Sequence, residues 1–214
     1  MLSCYTSALA SFRRVSIRQT LRVTGVAAAG LLLSGCLSVK HYLNPADLPQ
    51  VTAADLKQPQ SKQPVQLLFE FQTNGATNAK GTERIGPMVT DALNRSNQFA
   101  TVVSAPETAD RKLFVALNDV ANLGDAQSKG FATGLTFGLA GSTVSDGLVM
   151  DATYVVPGAP EAKHSYKTLL YSTIGATGGP AGLQPISEPD AIHKIVDAFV
   201  FGILNDMAHA GELR

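Results

Sequence analysis

The 214 residues contain only two thiols, Cys4 and Cys36. Cys36 directly follows Leu33-Ser34-Gly35. A thiolate forms a stable thioether more readily than the other side chains here, and small residues at 34 and 35 let an extended backbone enter a narrow cleft. Other combinations suggest chemistry and then fall short of it. Ser145-Asp146-Gly147 could offer a nucleophile, but the chain has no Ser-x-x-Lys, no Lys-Thr-Gly and no Gly-x-Ser-x-Gly, so Asp146-Gly147 reads as turn chemistry opening a strand. His193 and Asp197 stand i, i+4 and could share a metal, yet no third ligand lies nearby, and an intrahelical pair is expected. Gly175 to Gly182 lies between a strand and a helix, where phosphate loops sit. It lacks the Gly-Lys-Ser/Thr ending, and Pro180 removes an N–H donor. With no Trp and 7% aromatic residues, no aromatic sugar platform is expected. The sequence thus predicts no catalytic residues, no cofactor and no metal, hence no enzyme.

The residues around Cys36 form a larger pattern. Arg13, Arg14, Arg18 and Arg22 precede it with no acid before the cut, and Val23 to Leu33 is uncharged. A basic region, an apolar run of about eleven residues and small residues before a cut describe an export signal; a spanning helix needs about 20. Leu33-Ser34-Gly35-Cys36 resembles the lipobox of bacterial lipoproteins. The resemblance covers the first 36 residues. It implies a diacylglycerol on the Cys36 sulfur, cleavage between Gly35 and Cys36, and acylation of the new amino group, commonly with palmitate. Leu37 follows where an Asp would favour retention in the inner membrane. In a Gram-negative cell this implies the outer membrane, with the domain facing the periplasm.

Removing the four leader arginines leaves 13 basic against 17 acidic residues, a mature net charge of −4. Nucleic acid is therefore not an expected partner, and the membrane is met through the lipid. With Cys4 lost and Cys36 acylated, no disulfide is available, and burial alone must hold the domain. Residues 37–63 contain Pro45, Pro49 and Pro59 and few large apolar groups. They read as a tether with one short helical turn at Pro45 to Leu48. The expected division is a signal peptide over 1–35, lipidated Cys and flexible tether over 36–63, and a single periplasmic domain over 64–214.

Within that domain, Val65, Leu67, Phe69 and Phe71 alternate as a half-buried strand. Ile85, Met88, Val89, Ala92 and Leu93 give one helical stripe, with Pro87 marking a start near Gly86. Short strands follow at 99–103 and 112–120, then a hairpin at 148–156 and 164–174 about Pro157-Gly158-Ala159-Pro160. Ser187 to Asp190 resembles a capping box, Ile192 to Met207 makes a second stripe, and Gly211 is the stop. The order β-α-β-β-β-α predicts an α+β fold, a two-layer sandwich of a mostly antiparallel sheet with two helices packed on one face. This order is similar to that of small periplasmic lipoproteins such as the penicillin-binding-protein activators and the curli-secretion lipoprotein, across about residues 65–210.

A Gly-rich apolar insertion at 128–147 interrupts that order. Gly130 to Val144 carries no charge and four glycines. It is too short to span a bilayer as a helix. Gly130, Gly134 and Gly138 would form a smooth strip beside Phe131, Leu135 and Leu139, with Phe137 adjoining. These residues are the candidate contact with a membrane or partner. The expected function is a membrane-anchored envelope module that binds, assembles or scaffolds, with an envelope protein partner or a second copy. The alternatives are a hydrolase or other envelope enzyme with a site assembled from scattered residues, and a subunit of a membrane pore or secretion ring. Gly134→Leu with Gly138→Leu is predicted to disrupt association, read by sedimentation, while leaving the monomer's thermal unfolding unchanged.

Overall fold

The computed structural model describes residues 39–104, 109–121, 142–175 and 178–213. The strands are β1 (Val39–Leu43), β2 (Val65–Thr73), β3 (Ala76–Thr77), β4 (Val102–Val103), β5 (Arg111–Ala121), β6 (Ser142–Val155), β7 (Ala162–Ile174) and β8 (Pro185–Ile186). The helices are α1 (Ala79–Ser96) and α2 (Glu188–Ala210). One sheet runs β3-β2-β5-β6-β7-β1-β8, with β4 also pairing β2. Only the β2–β5 and β2–β4 pairs are parallel; the rest are antiparallel. The fold is α+β, an open sheet with both helices on one side.

Alternation builds the shared core. Val65, Leu67 and Phe71 of β2, Leu113, Val115 and Leu117 of β5, and Leu148, Met150 and Tyr154 of β6 are buried on one face. Ile85, Val89 and Leu93 of α1 and Ile195, Phe199, Ile203 and Met207 of α2 close over them. Ser187 Oγ accepts from the Asp190 amide and Gly211, at φ 71°, ends α2, as the sequence predicts. α1 starts earlier than Gly86. The Asn78 side chain caps it from the Gly81 amide at 3.0 Å, and the helix runs through Pro87. Proline removes the amide that would meet the Glu83 carbonyl. Both residues are exposed, so water can replace that bond.

The expected tether is instead part of the domain. β1 pairs β7 from Val39↔Ile174 to Leu43↔Leu170. Tyr42, Leu43 and Leu56 are buried. After the short 3-10 turn at Pro45–Asp47, Pro49 packs on α2 at Gly202, where an added Cβ would stand 2.9 Å from the proline ring and 3.0 Å from Tyr166. Gln58 Nε2 donates to the Ser96 carbonyl at the end of α1, at 3.3 Å. The apolar residues of this stretch are sparse and aperiodic because they cross the fold as a strap rather than line one face.

β6 also starts sooner than expected, at Ser142. Residues 142–147 therefore belong to the sheet: they pair β7 from Ser142↔Ile174, and Asp146 pairs Ala121. The β-branched Thr143 and Val144 suit an extended backbone. The connection between β5 and β6 is 122–141 rather than 128–147, and Asp146-Gly147 lies within a strand instead of a turn. A chain starting at Gln63 loses β1, Leu43 and Leu56. It is expected to unfold without a cooperative thermal transition or at a markedly lower Tm; deletion of a single buried leucine already costs about 2–5 kcal/mol. Differential scanning calorimetry against the chain starting at Cys36 checks this.

Candidate functional site

The register brings scattered polar residues to one end of the sheet. His41 of β1 stands opposite Ser172 of β7, and Asp146 of β6 opposite Leu170. Asp119 of β5 pairs Leu148. Alternation turns all four toward the helices, past the last rows of the apolar core. Both helices begin at this end and run side by side in the same direction. Arg84 pairs with Glu188 at 2.9 Å near their starts, and Arg95 with Asp197 at 2.5 Å farther along. The result is a cleft of about 440 Å³. Its apolar floor includes Phe71, Ile85, Leu148 and Ile192, and Thr73, Lys80, Arg84 and Glu188 join the four sheet residues on its walls.

Within the cleft, His41 Nδ1 and Ser172 Oγ are 2.9 Å apart. Burial pushes the Asp119 carboxyl up from its ordinary pKa, and the charge of Asp146 adds to this. Burial also raises Asp146, with His41 opposing the shift. A serine beside a histidine can exchange a proton, but acyl transfer also needs donors aimed at a developing oxyanion. Ser172 lies in mid-strand with β1 on one side and β6 on the other, so its main-chain amides are engaged in the ladder.

The residues singled out from sequence are distributed differently. Gly35, Cys36 and the candidate contacts Gly130, Phe131, Gly134, Leu135, Phe137, Gly138 and Leu139 lie outside the described residues. Asp197 pairs with Arg95 of the other helix rather than with His193. Gly179 packs against the ring of Tyr42 of β1, where an added Cβ would clash. Among the described residues no group of three or more His, Cys, Asp or Glu side chains could hold a metal ion, and no helix is long and apolar enough to cross a membrane. Sequence reading missed His41, Ser172 and Asp119, because only strand register joins them.

The raised carboxyls give the cleft a pH signature. The folded state holds protons on Asp119 and Asp146 above the ordinary 3.8. Their contribution to stability is therefore most favourable below that pH and declines as pH rises through the folded-state values. Asp119→Asn should raise Tm at pH 7, and the gain should shrink as pH falls through the folded-state value toward 3.8. Thermal melts across pH 3 to 8 measure this; a gain that grows in acid would contradict it.

No protein-family profile matches the chain, and no curated protein is similar to it in sequence. Among solved structures, it is similar to a single-substitution variant of the PelC dodecamer from Paraburkholderia phytofirmans at 12% identity, over 79% of this chain and 97% of that one, with a TM-score of 0.33. It is similar to a protein from Helicobacter pylori described as a neuraminyllactose-binding hemagglutinin homologue at 13% identity, over 73% and 84%, with a TM-score of 0.31. A protein from Caulobacter crescentus described as a lipoprotein matches at 15% identity, over 65% and 89%, with a TM-score of 0.28.

Proposed function

We propose that this chain is a lipid-anchored envelope protein that acts as a non-catalytic binding or assembly module. Residues 1–35 are its signal peptide, Cys36 carries the lipid, and the domain faces the periplasm from the outer membrane of a Gram-negative cell. The observation that carries the reading is the position of β1. The sheet begins at Val39, three residues beyond the cysteine of Leu33-Ser34-Gly35-Cys36. Three residues reach about 10 Å when extended. A lipid on Cys36 would hold the end of the sheet close to the headgroups, not on a leash.

The same end carries the connection between β5 and β6. Val39 and Ser142 flank Ile174 in one row of the sheet, so β6 begins at the end of the sheet that a lipid on Cys36 would hold. This supports Gly130, Phe131, Gly134, Leu135, Phe137, Gly138 and Leu139 as contacts with the bilayer or a second subunit. On this reading the cleft of His41 and Ser172 faces the membrane side of the domain. Two or more acyl chains at about 0.8 kcal/mol per buried methylene hold such a protein on a bilayer for long times. Cys36→Ala is expected to abolish labelling by metabolically supplied palmitate and to leave the leader uncut, seen as a heavier chain by mass spectrometry. Equal labelling of the variant and its parent would sink the reading.

A further inference from the structure

The edge of β2 opposite β5 is only partly covered. On that side β2 meets β4 at Val65–Gln66 and β3 at Gln72–Thr73, so among the described residues Leu67–Phe71 has no strand beside it. The main-chain groups that point there are those of the odd-numbered residues. Val65 N–H donates to the Thr101 carbonyl at 2.9 Å; farther along, Phe71 N–H donates to Thr82 Oγ1 at 2.9 Å and its carbonyl accepts from the Asn78 amide at 2.8 Å. Between them, the N–H and C=O of Phe69 have no strand partner among the described residues. A groove of about 1110 Å³ follows this gap, with α1 as one wall and the outer sheet face as the other. On the outer lip Leu68 and Phe114 sit opposite one another across β2 and β5, and both are exposed.

The groove's chemistry is one-sided. Glu70, Glu83, Asp91 and Asp151 line it, and among the described residues no Lys, Arg or His does. Asp91 is engaged with Arg95 at 2.7 Å. Hydrogen bonds from Gln72 and Thr77 hold the Glu70 carboxyl below its ordinary pKa, so it stays charged at neutral pH. Gln66, a lining residue only 4% exposed, donates from Nε2 to the Ser104 carbonyl at 3.4 Å while its Oε1 has no donor. Pro87 in the α1 wall supplies no amide to the Glu83 carbonyl. The groove is therefore rich in acceptors and negative charge.

We propose that this groove binds an extended polypeptide segment rich in lysine or arginine, added as a strand at the β2 edge beside Phe69. An added strand takes its affinity from main-chain bonds and its selectivity from alternate side chains. The gap from Leu67 to Phe71 is about 13 Å at the rise of a strand, enough to register four or five residues. Long basic side chains suit both walls: their heads reach the carboxylates while their stems cover Leu68 and Phe114. Gly86 sits over the Phe69 ring, at a distance where an added methyl group would make ordinary van der Waals contact.

The test uses the full mature protein in detergent micelles and two capped, fluorescein-labelled hexapeptides, one alternating lysine and valine and one alternating glutamate and valine. Fluorescence anisotropy should show the basic peptide binding at least about tenfold more tightly than the acidic one, with Glu83→Gln plus Asp151→Asn removing most of that difference. Saturating basic peptide should also slow hydrogen exchange at the Phe69 amide by about tenfold or more. Unchanged Phe69 exchange would mean that the peptide is held by diffuse attraction to an acidic protein, and would overturn the proposal. Equal affinity for both peptides would do the same. If neither peptide binds and the double variant instead dissolves oligomers of the chain itself, the groove's occupant is a second copy and the assignment to a basic segment is wrong.

Discussion

Leu170 to Ile174 of β7 are bonded on both sides, to β6 from Ser142 to Asp146 and to β1 from Val39 to Leu43. Most other features follow from this double pairing. It draws residues near the start of the described chain into the interior of the sheet, so that Leu43 can join the core. It sets the first residues of β1 and β6, Val39 and Ser142, on either side of Ile174. It also sets His41 against Ser172 and within reach of Asp146, a grouping that no local stretch of chain contains. Slipping β1 by one residue would turn His41 and Leu43 to the outer face and Tyr42 inward. The Tyr42 ring under Gly179 and the His41–Ser172 bond both resist that slip.

The helices owe their positions mainly to burial. Arg95 reaches Asp91 and Asp197 and lies 5.4 Å from the centre of the Phe201 ring. Its two ion pairs are solvent-facing, and such pairs contribute about 0–1 kcal/mol each. Ile195, Phe199 and Met207 are fully buried, and each is worth about 1.5–3 kcal/mol by area. The ion pairs set the rotation and sliding of α1 against α2 more than they set stability. On the sheet side, Tyr166 donates to Asp206 at 2.7 Å and stacks on Phe199. With burial, that carboxylate pushes the phenol up to about 12, so the bond persists across ordinary pH.

Where one face is buried and the other wet, the sequence is readable. β2, β5, β6 and β7 announce themselves by alternation, and α2 by its stripe between Ser187 and Gly211. Three kinds of information were hidden. Short strands such as β1, β3 and β8 have too few residues to show a period. The strap from Asn44 to Gln63 uses isolated apolar residues, each filling a different gap, so composition alone suggested a tether. α1 continues through Pro87 because the proline faces water, a circumstance fixed by which side of the helix is buried. The cleft was less legible than the fold: Asp146 was noticed as turn chemistry, but its partnership with His41, Ser172 and Asp119 depends on pairing between distant strands.

The bond between His41 and Ser172 joins residues 131 positions apart, and this has a consequence for how the chain acquires its structure. A chain emerging from its N-terminus delivers β1 first and the strand that must receive it near the end. Until β7 arrives, β1 is an unpaired edge with no sheet to join. The hairpin of β6 and β7 forms locally, but closure of the sheet around it waits for a long loop to be brought together, the kind of contact that slows folding most. During that interval Tyr42 and Leu43 remain available for wrong pairings. The last event in forming the sheet thus recruits one of its earliest-made segments, and a factor that shields the N-terminal strand during emergence would act on yield rather than on the stability of the finished fold.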